Sequence, residues 1–113
     1  MRTFAIVVDA DIDHDDTLTL SDHNVPLLSE LTMVTAIDNL SAAANVDELD
    51  VVAAADLTAA PGDAEQEVAL TDSDTLTFAF EDGVSNLTDN PTILLIGGTV
   101  YEDPIPTGRY LQT

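Results

Sequence analysis

The chain has 113 residues, 45% of them hydrophobic, and 22 acidic residues against 2 basic ones give a formal net charge of −20. This length holds one domain with ample apolar material for a core, so the charge is not read as disorder. Lysine and cysteine are absent and the two cations are Arg2 and Arg109; this argues against nucleic-acid phosphates and anionic lipid as partners, and excludes disulfides and thiolate catalysis.

Taken in order, Arg2 to Val8 (RTFAIVV) alternates as a strand with Phe4, Ile6 and Val8 on the buried face. It runs into the acidic stretch Asp9 to Asp16 (DADIDHDD), after which Asp16 to Ser21 (DTLTLS) alternates again with Leu18 and Leu20 inward. The two strands are expected to form a hairpin across the acidic loop. Asp22 to Pro26 is turn material, and Pro26 to Glu30 is expected to make one helical turn with the proline at its start. Leu31 to Ile37 (LTMVTAI), rich in β-branched residues, reads as a strand.

Two periods compete from 45 to 57. Asn45 and Glu48 form a helix-start pattern, with Val46, Leu49, Val52 and Ala53 on one helical face, whereas Leu49, Val51, Ala53 and Ala55 line one face of a strand. Alanine propensity favours the helix and the β-rich surroundings favour the strand, so both stay open.

Pro61-Gly62-Asp63 is a turn that leads into Glu67 to Phe80 (EVALTDSDTLTFAF). There Val68 and Leu70, then Leu76, Phe78 and Phe80, alternate about a Thr71 to Asp74 turn, the pattern of a hairpin with one apolar face. This hairpin is expected to be the centre of the core. Thr92 to Ile96 (TILLI) is apolar on both faces and belongs inside a sheet or between layers; Gly97-Gly98 marks a bulge or bend, and Thr99 to Tyr101 continues the strand. Beyond it, Pro104 and Pro106 disfavour ladder and helix. The division is therefore a single β-domain over 1–103 and an extended arm over 104–113. No apolar run approaches the roughly 20 residues of a membrane span, and no signal-peptide pattern is present. The fold class is mainly β: a small antiparallel β-sandwich or jelly-roll-like barrel of about seven or eight strands, with one or two short helices.

Chemistry concentrates in the acidic loop. Asp9, Asp11 and Asp13 begin like an EF-hand, but His14 stands where that loop needs glycine and Leu20 where it needs a bidentate glutamate. Closely spaced carboxylates still gather hard cations, which makes Asp9, Asp11, Asp15 and Asp16 the candidate ligands for calcium or for sodium or potassium; the alternative is a solvated loop with screened ions. No other cofactor is indicated. His14 and His23 are expected in exposed loops, and no serine or cysteine constellation accompanies them, so no catalytic residue is assigned and the chain is not expected to be an enzyme. The same window resembles the DxDxxxDD motif of nucleoside hydrolases, a likeness that implies calcium-binding, water-activating roles for Asp9, Asp11, Asp15 and Asp16. Ile12-Asp13 replaces that family's proline-glycine step, and strand-like TLTLS replaces the helix that should follow the aspartate pair.

Acidity spread along the whole chain reads as adaptation to concentrated salt, because at about 1 M the Debye length shrinks to roughly 3 Å and self-repulsion is screened. With aspartate above glutamate, no lysine, and abundant alanine, valine and threonine, the composition resembles that of proteins of halophilic archaea and their viruses. Small size and β architecture resemble the accessory proteins of such virions: head-decoration, spike or tail components. That likeness implies a structural, homo-oligomeric protein of the virion, or of the high-salt cytoplasm during assembly, whose partners are copies of itself and other virion proteins. Arg2, Ile105, Arg109, Tyr110 and Leu111 are the expected subunit contacts. The alternative is a stand-alone β-domain that binds a cation or small ligand through Asp9 to Asp16.

Overall fold

A computed structural model describes residues 1–38, 45–58, 60–63, 65–82, 86, 87 and 91–101. Seven strands lie among these residues: β1 (Arg2–Val8), β2 (Thr17–Thr19), β3 (Leu28–Asp38), β4 (Asn45–Val51), β5 (Gln66–Asp72), β6 (Thr75–Phe80) and β7 (Thr92–Val100). They lie in the order β1-β7-β3-β4-β5-β6-β2, a single mixed sheet curled into a half-barrel. The expectation of a mainly β fold is met. Two short 3-10 turns, Leu20–His23 and Ala54–Asp56, accompany it.

The hairpin read at 67–80 is β5 and β6, with Val68 opposite Phe78 and Leu70 opposite Leu76. Val68, Leu76, Phe78 and Phe80 are all fully buried, and the two phenylalanine rings stand 5.9 Å apart. Burying side chains of this size contributes about 1.5–3 kcal/mol each. Other strands supply matching rows on the same inner face. Phe4, Ile96, Val34 and Leu49 form one row, and Ile6, Leu94 and Ala36 form the next.

Three local expectations are corrected. β1 and the strand after the acidic loop do not pair: β1 bonds β7, β2 bonds β6, and the two stand at opposite edges of the sheet. The acidic stretch Asp9 to Asp16 therefore connects the two edges of the sheet. Pro26 to Glu30 makes no helical turn. Its backbone is drawn into pairing instead, with Leu28 opposite Val100 and its N–H bonded to Ser73 O at 2.9 Å. Gly97 and Gly98 carry no bulge of their own; β7 runs straight through them and the irregularities fall on β3, between Leu28 and Glu30 and between Leu31 and Met33. A β-carbon at Gly98 would strike the Glu30 carbonyl oxygen, so the glycine admits the bulged backbone.

The open choice at 45–57 resolves into strand β4 over 45–51, with the alanines confined to the following 3-10 turn. Acidic Glu48 and Asp50 sit on the exposed face of this strand while Leu49 is buried, so sheet pairing overrides helix propensity. Its neighbour β5 runs parallel to it over two residue pairs, Asp50 with Glu67 and Val51 with Val68. Among the described residues no helix is long and apolar enough to cross a membrane.

Candidate functional site

The acidic loop is pinned by its backbone. Asp13 N–H donates to Asp16 Oδ2 at 2.8 Å and Asp16 N–H to Asp13 O at 3.1 Å, closing a turn. Within it Asp15 takes a φ of 73°, a left-handed conformation that aspartate tolerates better than most residues. Asp15 N–H then donates to Phe78 O at 2.8 Å and Phe78 N–H to Asp16 O at 3.0 Å, so the loop end continues the β6 ladder. Upstream, Ile12 and Leu87 exchange hydrogen bonds of 2.8 and 3.0 Å. Ile12 is buried at that bridge while the aspartates on both sides of it stay exposed.

Beside the loop lies a cleft of about 260 Å³. Val8, Ile12, Leu18 and Phe78 give it apolar walls, and Asp11, Asp16, Asp22 and His23 give it charge and hydrogen-bonding capacity. Of the four aspartates read as cation ligands, Asp11 and Asp16 line this cleft, whereas Asp9 and Asp15 do not. Among the described residues no group of three or more histidine, aspartate or glutamate side chains is placed to hold a metal ion. Both histidines differ from the exposed-loop expectation. His14 is partly buried and its Nδ1 accepts from Phe80 N–H at 3.1 Å, and His23 closes a 3-10 turn against the cleft.

A second surface emerges from strand register. On the outer face of the sheet, Val7, Ile93, Ile37 and Val46 form a continuous row across β1, β7, β3 and β4. Val7 is 60% exposed and Val46 65%, so solvent meets this row at both ends. The next row is Ala5, Leu95, Thr35 and Glu48. Beyond it, Met33 and Met1 side chains fill the space that a side chain on Gly97 would occupy. The outer positions of β1, of β7 and of β3 from Met33 onward carry no carboxylate.

Of the expected subunit contacts, Arg2 lies at the start of β1 with its guanidinium 5.1 Å from the centre of the Phe4 ring, a cation–π contact. Ile105, Arg109, Tyr110 and Leu111 lie outside the described residues. The outer-face row was missed in the sequence, although TILLI, apolar on both sides, and the alternation of Met33 and Ile37 carried its signal.

The class these features define is an acidic curled-sheet β-protein whose outer face carries no carboxylate on β1, on β7 or on β3 from Met33 onward. No family model, curated protein or solved structure matches the chain.

Proposed function

We propose that this chain is a structural subunit that associates with other protein subunits in concentrated salt, the kind of component a halophilic virus particle uses for decoration, spike or tail. The observation that carries this reading is the outer sheet face. Acids make up 22 of 113 residues, yet the Val7-Ile93-Ile37-Val46 row and its flanks on three adjacent strands have none. A chain that disperses carboxylates over its surface and spares one apolar face keeps that face for contact. Screening at molar salt lets two such acidic bodies approach.

Light scattering at about 3 M and about 0.2 M salt tests it, the Debye length being short only in the first. The expected mass at high salt is a multiple of 11.9 kDa, lowered by Val46→Asp or Ile93→Asp, which place a charge in the outer row. A folded monomer at both salts would end the assembly reading.

The cleft beside the acidic loop supports a second reading, a binding site for a small cation or a cationic ligand that uses Asp11, Asp16 and Asp22 with apolar walls. Calcium titration followed by melting separates the two: a specific site raises the melting temperature with calcium beyond the effect of sodium at equal ionic strength. The assembly reading expects no such excess.

A further inference from the structure

We propose that two copies of this chain join through β1, antiparallel to one another across a two-fold axis at Ala5, so that two half-barrels share one continuous sheet. The proposal rests on the assembly reading above and adds to the outer-face contact a second one, at the sheet edge, with a second copy of the chain as partner.

The two edges of the sheet differ in kind. β2 is three residues long and stands between Asp16 and Asp22, a short edge with charge at both ends. β1 is seven residues long, pairs with β7 without a register shift, and contains no acid and no proline. Natural sheets blunt their edges with charge, proline, bulges or brevity, and β1 has none of these apart from Arg2 at its first position. Among the described residues no backbone hydrogen bond reaches β1 from its outer side.

Which groups face outward follows from alternation. Tyr101 N–H donates to Leu27 O and Thr99 O accepts from Ser29 Oγ, so the odd residues of β7 turn their backbone toward β3 and the even ones toward β1. Gly98, Ile96, Leu94 and Thr92 therefore bond Arg2, Phe4, Ile6 and Val8, which are their register partners. Thr3, Ala5 and Val7 turn their N–H and C=O groups to the free edge.

Those three residues constrain the register. Outward groups must meet outward groups, so odd residues pair with odd. Of the registers that allow this, one pairs Arg2–Val8 with itself over its whole length: Ala5 opposite Ala5, and Thr3 opposite Val7. It also sets Arg2 opposite Val8 of the second copy, so that no acid lies within the joint. Because the other edge is short and charged, pairing stops at two copies on this axis. The outer apolar face of each copy continues across the joint.

The absence of cysteine from the sequence makes single-cysteine variants clean probes, and Thr3, Ala5 and Val7 are all exposed. At about 3 M salt, where charge is screened, Ala5→Cys is expected to convert to a disulfide dimer under mild oxidation with a doubling of mass, since directly paired residues lie within bridging distance. Thr3→Cys alone and Val7→Cys alone should stay unlinked, each being about 14 Å from its own copy, while a mixture of the two should link to each other. Association at high salt without an Ala5→Cys link, or with Thr3→Cys linking to itself, would overturn this edge pairing and leave the assembly reading standing. A folded monomer under all conditions would overturn both. An Ala5→Cys link that forms only after deletion of residues 102–113 would place that segment on the edge and overturn the proposal as stated.

Discussion

The backbone N–H of Phe80 donates to Nδ1 of His14 at 3.1 Å, a bond between residues 66 positions apart. It ties the acidic loop to the last residue of β6, beside a phenylalanine ring that is fully buried. A histidine in a charged loop thus completes the hydrogen bonding of the core hairpin.

His14→Ala is expected to destabilise the fold by about 1–3 kcal/mol, because it leaves the Phe80 N–H without this acceptor in a partly buried setting. Chemical denaturation at fixed high salt measures it. A variant as stable as the parent would show that the bond is replaced by water at no cost.

Gly98→Ala and Gly97→Ala should part company. An added methyl at Gly98 meets the Glu30 backbone oxygen, which cannot swing aside, whereas at Gly97 it meets the flexible side chains of Met33 and Met1. The expected loss is about 1–3 kcal/mol at Gly98 and less at Gly97. Equal melting temperatures for the two variants would contradict the close approach of β3.

Asp74 anchors the start of the Leu20–His23 turn. Its carboxylate accepts from Ser21 N–H at 2.9 Å and Ser21 Oγ at 2.7 Å, and its carbonyl accepts from Leu20 N–H at 2.8 Å. Asp74→Ala keeps the backbone bond and loses both side-chain bonds, for an expected cost of about 1–2 kcal/mol in this exposed setting. Faster amide exchange at Ser21, relative to Leu20, is the local signature to look for.

Asp50 stands directly opposite Glu67 where β4 meets β5, two carboxylates at the narrowest joint of the sheet. Asp50→Asn is expected to stabilise the protein at about 0.2 M salt by about 0.2–1 kcal/mol, with the gain vanishing near 3 M as screening removes the repulsion. Melting curves across a salt series check it. A gain independent of salt would point to something other than charge.

Local pattern and long-range pairing were not equally legible in the sequence. The β5–β6 hairpin declared itself because both strands and their turn lie within one short window, and alternation alone identifies Val68, Leu76, Phe78 and Phe80 as inward. β1 was readable for the same reason. The partner of Thr17–Thr19 was not, since three residues of alternation do not say which strand they join, and proximity in sequence pointed to β1 where the core selects β6. At 45–57, the helical face Val46, Leu49, Val52 and Ala53 and the strand face Leu49, Val51, Ala53 and Ala55 were both open in the sequence, and the pairing of 45–49 with β3 decides. For the site, the sequence marked Asp11 and Asp16 but not Asp22 or His23, which reach the cleft through the Leu20–His23 turn. The outer apolar row depends on register across four strands, information that no single segment contains.

The placement of β1 also sets a timetable. Its hydrogen-bonding partner is β7, with Arg2 opposite Gly98, so as the chain emerges from synthesis β1 waits for a strand some ninety residues behind it. Contacts of such separation close late, after the local hairpin has formed. Until then a seven-residue segment with no carboxylate is exposed along both of its edges. The acids that begin at Asp9 travel with it from the outset. On this view the DADIDHDD stretch serves the unfinished chain as well as the finished one, holding water around the segment that has longest to wait.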